Sequence, residues 1–408
     1  MLGTPGSAGG AGPPAPTAGT RLGQLPPRAS YENLRSSMYI SNFEVNNFKS
    51  FRTPGALEFK PGFNIITGQN SAGKTALLEA LTLQFEANPH RSILTVPVPG
   101  TTPPGASSAR ITFVFTRGEL SALLGGGEHW FPMPDRGFVV PSIGLINETQ
   151  PGALLAFAKW LFDQPEFRVC VRLIRPVGQG ETWIAEEPRF GLYPAGPLLE
   201  QNRRAFVRVG LDQNGEPIIN GQTRLDPSQD VSIWLANPLR TRIYRFTAER
   251  FSLGQCSFGN NRVLAPNAQN LPEVLDVLQA NPTRFLQLNE LLREILPQIQ
   301  QVSVQPLPND QVQVIVWPHD PNTAREDLAV PLNQCGSGVG QVLAILYVVM
   351  TADHPRVVIV DEPQSFLHPG AVRKLVEVLG RYPQHQYLLA SHSPTVIMAS
   401  DPATLTVA

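Results

Sequence analysis

A short glycine-bounded stretch, with one lysine and one threonine at fixed spacing, carries the clearest chemistry in the chain. Residues 63–78 read FNIITGQNSAGKTALL. An apolar run comes first, a loop bounded by Gly68 and Gly73 follows, and Lys74 and Thr75 open a second apolar run. This G-x-x-x-x-G-K-[ST] spacing between a predicted strand and a predicted helix is typical of a phosphate-binding loop.

A polyphosphate needs several N–H donors on one concave surface, and backbone amides supply them where no side chain intrudes. Lys74 is the predicted catalytic point charge on the β and γ phosphates, and Thr75 offers its hydroxyl to Mg²⁺. A plain glycine turn is the alternative, but the chain has only five lysines, which argues against a chance match. The residues predicted to bind ATP are Gly68, Gln69, Asn70, Ser71, Ala72, Gly73, Lys74 and Thr75.

Two carboxylates close a later apolar run. Residues 356–362 read RVVIVDE, and their β-branched side chains predict a strand buried on both faces of a parallel sheet. Beside a phosphate loop, such a strand end would hold Asp361 near Mg²⁺ and Glu362 near the γ phosphate. Glu362 is then the predicted base that orients or deprotonates water. Apolar strands ending in Asp-Glu are also common without this role, so the catalytic interpretation depends on the phosphate loop.

Gln386–Ala390 predicts a further buried strand, and Ser391, His392, Ser393 and Pro394 follow it. A histidine at a strand end can reach the γ phosphate and report its presence. His392 is therefore the third catalytic candidate, although a lone histidine is usually structural.

A second glycine-rich segment, NQCGSGVGQ at residues 333–341, precedes an apolar helix. Ser337 is predicted to cap this helix, and the neighbouring glycines free the amides of its first turn. Ser337 and Gly338 thus form a second candidate phosphate-binding site at a helix N-terminus. An ordinary capped helix with a tight entry turn is the alternative.

The composition limits the classes of protein to which the chain can belong. The chain has 408 residues, 42% of them apolar, and a net charge of −1, so it has a sizeable core and no global basic signature for nucleic acid. Its three cysteines follow no metal-ligand pattern. No apolar run has membrane-spanning length and the first residues do not resemble a secretion signal, so we predict a cytoplasmic protein without membrane contact.

Four regions follow one another. Residues 1–36 are rich in glycine, proline and alanine and are predicted to be a disordered tail. Residues 37–115 hold paired strands and the phosphate loop, and residues 301–408 hold the second glycine-rich segment, both carboxylates and His392. Residues 116–300 are predicted to be an inserted lobe of antiparallel strands and helices.

Turn and helix signals subdivide this chain further. Asn214-Gly215 and Asn220-Gly221 are typical of hairpin turns. Leu271–Ile299 has the spacing of two core-packing helices divided by Pro282. Residues 302–304 and 312–316 are predicted to form a hairpin.

The order of these motifs resembles the ATP-binding-cassette (ABC) type of ATPase. Within it, the chain resembles the RecF/SMC-like branch, and most closely the ATPase domain of the OLD (overcoming lysogenization defect) nuclease family. This implies an α/β P-loop NTPase fold of the ABC/RecF-like type: a mixed sheet with a parallel core, an antiparallel β lobe and inserted helices. The motifs concerned are Asn42-Phe43, residues 47–51, 68–75, 247–250 and 336–338, Asp361–Pro369 and Ser391–Pro394.

The resemblance also implies a head-to-tail homodimer. The phosphate loop of one copy would face Ser337–Gly340 of the other across ATP, Ser365–His368 would cross the interface, and Phe48 and Lys49 would flank the base or ribose. Gln364 departs from the family, which often has an acid there. OLD nucleases continue into a Toprim nuclease domain, and because this chain ends at Ala408 we expect no nuclease chemistry within it.

The resulting prediction is an ATPase that dimerises on ATP, uses closure as a switch and is reset by hydrolysis. The family resemblance implies that the switch acts on DNA or on a separately encoded effector nuclease, in phage defence or repair. Two alternatives stay open, namely the ATP-binding subunit of an ABC transporter and a nucleotide-binding scaffold with negligible turnover.

Overall fold

The computed structural model describes residues 38–51, 55–68, 73–82, 107–125, 127–132, 139–140, 144–145, 152–164, 166–175, 182–184, 206–224, 231–247, 254–323, 325–399 and 404–407. The predicted tail, residues 1–36, lies outside them. The helices are α1 (Lys74–Leu81), α2 (Arg117–Leu124), α3 (Ala153–Phe162), α4 (Val231–Arg240), α5 (Leu271–Gln279), α6 (Pro282–Ile295), α7 (Ser337–Thr351), α8 (Pro369–Leu379) and α9 (Pro394–Ala399).

The chain contributes strands to several sheets. They are β1 (Tyr39–Asn46), β2 (Gly55–Glu58), β3 (Phe63–Thr67), β4 (Ser107–Thr116), β5 (His129–Pro132), β6 (Val139–Val140), β7 (Gly144–Leu145), β8 (Glu166–Arg175), β9 (Thr182–Ile184), β10 (Phe206–Leu211), β11 (Pro217–Arg224), β12 (Ile243–Phe246), β13 (Gln255–Ser257), β14 (Gln301–Leu307), β15 (Gln311–Trp317), β16 (Val330–Pro331), β17 (Val357–Asp361), β18 (Gln386–Ala390) and β19 (Thr404–Val407).

A parallel sheet forms the centre of the fold, with strand order β12-β17-β18-β3-β19. All four pairings in it are parallel, so the carboxyl ends of these strands meet at one edge. All five residues of β17 and all five of β18 are buried, as their continuous apolar sequence predicted. The parallel core expected from the sequence is confirmed.

The lateral order of the central strands is a finding of the structure. The strand that ends in Asp361 is not the neighbour of the strand that enters the phosphate loop. In the structure β18 lies between them and pairs with both β17 and β3. The apolar sequence of each strand indicates burial but carries no information about lateral order, which non-local pairing decides.

An antiparallel sheet covers one face of the parallel sheet. Its strand order is β2-β1-β4-β8-β9, and β1 pairs with β2 as the alternating sequence predicted. Helix α1 packs between the two sheets, because Leu77 and Leu78 share one core with Phe43 of β1 and Ile359 of β17. The helix that follows the phosphate loop is therefore held on both sides.

Helices α5, α6, α7 and α8 cover the opposite face. The second core contains Val358 and Val360 of β17, whose odd-numbered neighbours belong to the first core. Helix α7 is apolar almost all round and is correspondingly buried between the sheet and the neighbouring helices. None of the helices in the described ranges is long and apolar enough to cross a membrane.

Several local predictions are confirmed and one is wrong. Strands β14 and β15 form the expected hairpin, and Pro282 begins α6. Gly215 has φ of +78° in the turn between β10 and β11. The turn predicted at Asn220-Gly221 instead lies inside β11, because pairing with β10 extends that strand to Arg224.

The predicted lobe shares sheets with its neighbours. Strand β12 lies within residues 116–300 and pairs with β17 of the core, and β8 pairs with β4. The division of the chain at residues 115 and 300 stays a prediction.

Candidate functional site

The carboxyl edge of the parallel sheet brings together three predicted site segments. Gly68 follows β3, Glu362 follows Asp361 at the end of β17, and His392 follows β18 by two residues. The backbone joins these ends directly, because Glu362 N donates to Ala390 O at 2.9 Å and Ser391 N donates to Ile66 O at 3.0 Å. In open α/β sheets this edge is the usual place for a ligand.

Lys74 is buried in the middle of this edge. Its side chain is 5% exposed, and Nζ donates a hydrogen bond to Gly68 O at 3.0 Å and lies 3.9 Å from Glu362 Oε1. A lysine ammonium is a compact, strongly hydrated charge, so burying it requires polar partners of this kind. The geometry places a positive charge between the phosphate loop and the predicted base.

The backbone conformation and the close neighbours of Gly73 explain why the loop requires glycine immediately before Lys74. It is the N-cap of α1 and has φ of +92°, a conformation that other residues rarely adopt. A Cβ atom there would lie 2.5 Å from Ser50 Oγ and 3.2 Å from the Phe51 ring. Gln69, Asn70, Ser71 and Ala72 lie outside the described residues, so their predicted phosphate contacts stay predictions.

Asp361 is the most buried carboxylate at the site. Its Oδ2 lies 3.4 Å from Arg245 Nη2, and its buried Oδ1 has no hydrogen-bond partner among the described residues. Burial raises the pKa of this carboxyl group, and the nearby Arg245 guanidinium and Thr75 hydroxyl partly oppose that rise. A buried, unsatisfied carboxylate oxygen next to a threonine hydroxyl is a donor set suited to Mg²⁺.

Glu362 has a strained backbone and a well-defined set of neighbours. Its φ of +51° lies in the left-handed region, which is uncommon for residues other than glycine and is concentrated at functional sites. Oε1 lies 3.3 Å from Nδ1 of His392, and Oε2 accepts a hydrogen bond from Gln364 Nε2 at 3.3 Å. The other two predicted catalytic residues, Lys74 and His392, therefore both approach Oε1 of Glu362.

Gln364 and Ser391 extend this arrangement. Ser391 is fully buried and its hydroxyl donates to Gln364 Oε1 at 2.9 Å, while the amide of the same glutamine donates to Glu362. Sequence reasoning noticed Gln364 only as a departure from the related family. The sequence signal that could have identified Gln364 as a site residue is its position two residues after Glu362.

Arg245 was missed entirely. It lies on β12, 116 residues before its partner Asp361. The signal that could have identified it is a charged residue within the apolar strand Ile243–Phe246.

Ser337 and Gly338 lie in the first turn of α7, which is not one of the three segments that meet at the carboxyl edge of the sheet. The N-cap of α7 is Gly336, without a side-chain cap, so the prediction that Ser337 caps this helix is wrong. A Cβ atom on Gly338 would lie 2.3 Å from Phe366 O, so the first turn of α7 packs tightly on this segment. Within the described part of the chain, neither Ser337 nor Gly338 forms a hydrogen bond or ion pair with Lys74, Asp361 or Glu362.

The expected role of Phe48 and Lys49 beside a base or ribose is not supported. Phe48 is 0% exposed and belongs to the core between the sheets, so its ring has no free face. Lys49 Nζ pairs with Glu79 of α1. Both residues instead hold the segment before β2 against the helix that carries the phosphate loop.

Sequence comparison finds matching families and relatives. A family described as "AAA domain, putative AbiEii toxin, Type IV TA system" matches residues 219–399, and a second, described as "AAA domain", matches residues 43–91. The chain is 39% identical over 61 residues to the DNA replication and repair protein RecF of Acidothermus cellulolyticus, which is 15% of this chain and 16% of that protein. It is 41% identical over 44 residues to the chromosome partition protein Smc of Synechocystis sp., which is 11% of this chain and 4% of that protein.

Structural comparison finds SMC heads at low sequence identity. The SMC head bound to the C-winged helix domain of ScpA has a TM-score of 0.48 and 12% identity, covering 90% of this chain and 93% of that chain. The SMC head domain from Thermotoga maritima has a TM-score of 0.38 and 11% identity, covering 89% and 93%.

The parallel sheet with the phosphate loop at its edge defines the class of protein: a P-loop NTPase fold, in which two stretches of the chain match AAA-domain families. Short stretches of the chain are similar to RecF and Smc, and they span 16% and 4% of the length of those proteins. The predicted fold class is confirmed, and the closer relationship to OLD-family ATPase domains stays a prediction.

Proposed function

We propose that this chain binds and hydrolyses ATP and acts as an ATP-dependent dimerising switch. The observation that carries the proposal is the position of Glu362, whose Oε1 lies 3.9 Å from Lys74 Nζ and 3.3 Å from His392 Nδ1. A cation for the phosphates, a carboxylate for the water and a histidine for the terminal phosphate thus lie at one edge of the sheet. Phosphoryl transfer depends on such positioning and charge stabilisation more than on covalent chemistry.

Each residue has a proposed role that follows from its position. Lys74 binds the phosphates together with the backbone of the loop, and the α1 N-terminus adds its positive dipole end. Glu362 orients and deprotonates the attacking water, and His392 contacts the terminal phosphate. Gln364 positions the Glu362 carboxylate through its hydrogen bond to Oε2.

Thr75 and Asp361 are the proposed Mg²⁺ ligands. The buried, unsatisfied Oδ1 of Asp361 fits this assignment. The metal would neutralise phosphate charge and fix the phosphate oxygens for attack. Arg245 favours the charged form of Asp361, because its guanidinium opposes the rise in pKa that burial causes.

A head-to-tail dimer would complete this site. Ser337 and Gly338 lie at the start of α7, where Gly338 packs closely against Phe366. A composite site formed with a second copy gives these amides a phosphate to bind, which supports an ATP-dependent dimer. The equilibrium between open and closed dimers would then depend on ATP, as the switch requires.

The proposed output concerns DNA, directly or through a separately encoded effector nuclease. The support is indirect: two sequence relatives are named for DNA replication and repair and for chromosome partition, and each matches over a small part of its length. The net charge of −1 adds no support. Phage defence or repair is the proposed setting.

ATP binding by wild type and Lys74→Ala, measured by isothermal titration, tests the first step. We expect loss of measurable ATP binding in Lys74→Ala, because the loop then lacks its charge for the β and γ phosphates. Lys60→Ala is the matched control, since Lys60 is exposed and precedes β3, at the opposite end of that strand from the phosphate loop. Wild-type affinity in Lys74→Ala would contradict the assignment of the nucleotide site.

A further inference from the structure

A cavity lies at the opposite edge of the parallel sheet from the phosphate loop. It has a volume of about 400 Å³ and is bounded by the residues that begin β12 and β17, the end of α7 and the junction of α5 and α6. Arg356 immediately precedes β17, whereas Asp361 ends it. A five-residue strand spans about 16 Å, so the cavity is separate from the proposed ATP site. Its volume is within the range of small-ligand pockets.

Arginine dominates the charged residues around this cavity. Arg262, Arg284 and Arg356 line it, and Asp353 is the single carboxylate among the described lining residues. Arg262 and Arg284 are exposed, and no ion pair joins any of the three arginines to a carboxylate in the described ranges. Positive charge that is not neutralised by acidic neighbours remains available to an anionic ligand.

Two tyrosines give the cavity fixed walls. The Arg356 guanidinium carbon lies 5.7 Å from the centre of the Tyr244 ring, and Arg356 Nη1 donates to Thr241 O at 3.3 Å. Tyr347 is buried on α7, and its hydroxyl donates to Arg262 O at 2.8 Å. These contacts fix the backbone of Arg262 and the guanidinium of Arg356 before a ligand arrives, which reduces the entropic cost of binding.

The electrostatic effects of these arginines are visible on their neighbours. Burial raises the pKa of Tyr347 to about 12, and Arg262 and Arg284 are close enough to oppose that rise. Burial lowers the pKa of His354, and Arg242 and Arg356 lower it further.

A structural role for the arginines is the main alternative. Helix α7 ends at Thr351 without a basic residue in its last turn, so nearby cations stabilise its negative dipole end. One cation suffices for that interaction. Three arginines around a cavity with aromatic walls exceed what a helix end requires.

We propose that the cavity lined by Arg262, Arg284 and Arg356 binds a small phosphate-bearing ligand of mononucleotide size. The planar guanidinium forks match phosphate oxygens in a bidentate geometry, and the tyrosine rings supply an apolar surface for an organic group. Asn281, the N-cap of α6, lines the cavity, so the positive end of that helix dipole also lies there. This site is independent of the proposed ATPase activity.

Isothermal titration with AMP and with inorganic phosphate tests the proposal. The protein used is the full chain carrying Lys74→Ala, which is expected not to bind nucleotide at the phosphate loop. We expect one bound AMP per chain and at least tenfold weaker binding when Arg284→Ala is added. Arg373→Ala is the charge-matched control, because Arg373 is exposed on α8, outside this cavity. Its binding should equal that of Lys74→Ala alone.

The two probes also separate the sources of phosphate. Tighter binding of AMP than of inorganic phosphate would support the proposed ligand of mononucleotide size. Equal binding of the two probes would show a site for phosphate alone and would contradict that size. Equal affinity with and without Arg284→Ala, or no binding of either probe, would overturn it. Binding of a short DNA duplex but not of AMP, lost in Arg284→Ala, would replace the small ligand by a nucleic-acid backbone. Thermal unfolding of each variant without probe identifies a purely structural loss.

Discussion

Nδ1 of His392 lies 3.3 Å from Oε1 of Glu362. The two residues are 30 positions apart in the sequence and follow neighbouring parallel strands, so strand pairing rather than chain proximity brings them together. The same carboxylate also faces Lys74 of the phosphate loop.

Gln364 is predicted to position the Glu362 carboxylate. Gln364→Ala removes a hydrogen bond to a charged group, so we expect kcat to fall about tenfold with little change in KM. Gln364→Glu would place a second negative charge beside Glu362, slow the reaction further and shift the acid limb of the pH–rate profile to higher pH. Steady-state ATPase kinetics across pH measure both effects.

The control for Gln364 is Gln305→Ala, because Gln305 is exposed on β14. Wild-type kinetics are expected for it. An equal loss in both glutamine variants, or a change in KM alone for Gln364→Ala, would mean that Gln364 does not act through Glu362.

Gly73→Ala should disable the phosphate loop. The new Cβ atom would meet Ser50 Oγ at 2.5 Å, and φ of +92° strains any L side chain, so we expect about 2 kcal/mol less unfolding free energy and loss of ATP binding. Urea unfolding and titration calorimetry measure these quantities. Adding Ser50→Ala should restore part of the stability, since it removes the closest atom.

Gly118→Ala is the matched glycine control. No atom lies within 4 Å of a Cβ built on Gly118, which is in the first turn of α2. Its stability should change by no more than about 1 kcal/mol, because alanine is a better helix former than glycine. Similar effects of the two substitutions would refute the steric explanation.

His385 should make the protein less stable in mild acid. Burial lowers the pKa of this histidine to about 4, and its ring accepts from Arg356 N and faces Val349 O, which suits the neutral form. The unfolded chain, with an ordinary pKa near 6.5, binds more protons between these values. Unfolding free energy therefore falls as pH drops from 6.5 to 4, by up to about 3 kcal/mol from this residue.

Urea unfolding of wild type and His385→Gln at pH 7 and pH 5 tests whether His385 lowers the free energy of unfolding in acid. Glutamine keeps a donor and an acceptor but has no charge to gain, so the variant should lose this part of the pH dependence. His319→Gln, at an exposed histidine, should keep the wild-type slope. An unchanged slope in His385→Gln would show that another group causes the acid sensitivity.

The features that sequence predicted correctly are those with a local signature. The phosphate loop has fixed spacing around Gly73, and the buried strand Val357–Asp361 has a continuous β-branched run, so neither required knowledge of the remaining fold. The strand Gln386–Ala390 was likewise identified at its observed bounds. Local pattern therefore sufficed to place Lys74, Asp361, Glu362 and His392 at strand or helix ends.

The features that were missed depend on distant partners. Arg245 contacts Asp361 across 116 residues, and Gln364 becomes informative only when Ser391 is known to lie beside it. The Asn220-Gly221 dipeptide favours a turn locally, but pairing with β10 keeps it in a strand. No pattern within one segment reports such tertiary contacts.

The most direct test of the proposed switch is the ATPase rate per molecule as a function of protein concentration, for wild type and Glu362→Gln, with and without DNA. We expect the wild-type rate to rise with concentration to a plateau, because the site is completed by a second copy. Glu362→Gln should bind ATP, accumulate dimer by light scattering and turn over about 10² to 10⁴ times more slowly. Faster turnover with DNA would support the proposed DNA-related output. A wild-type rate independent of concentration, or undiminished turnover in Glu362→Gln, would contradict the account.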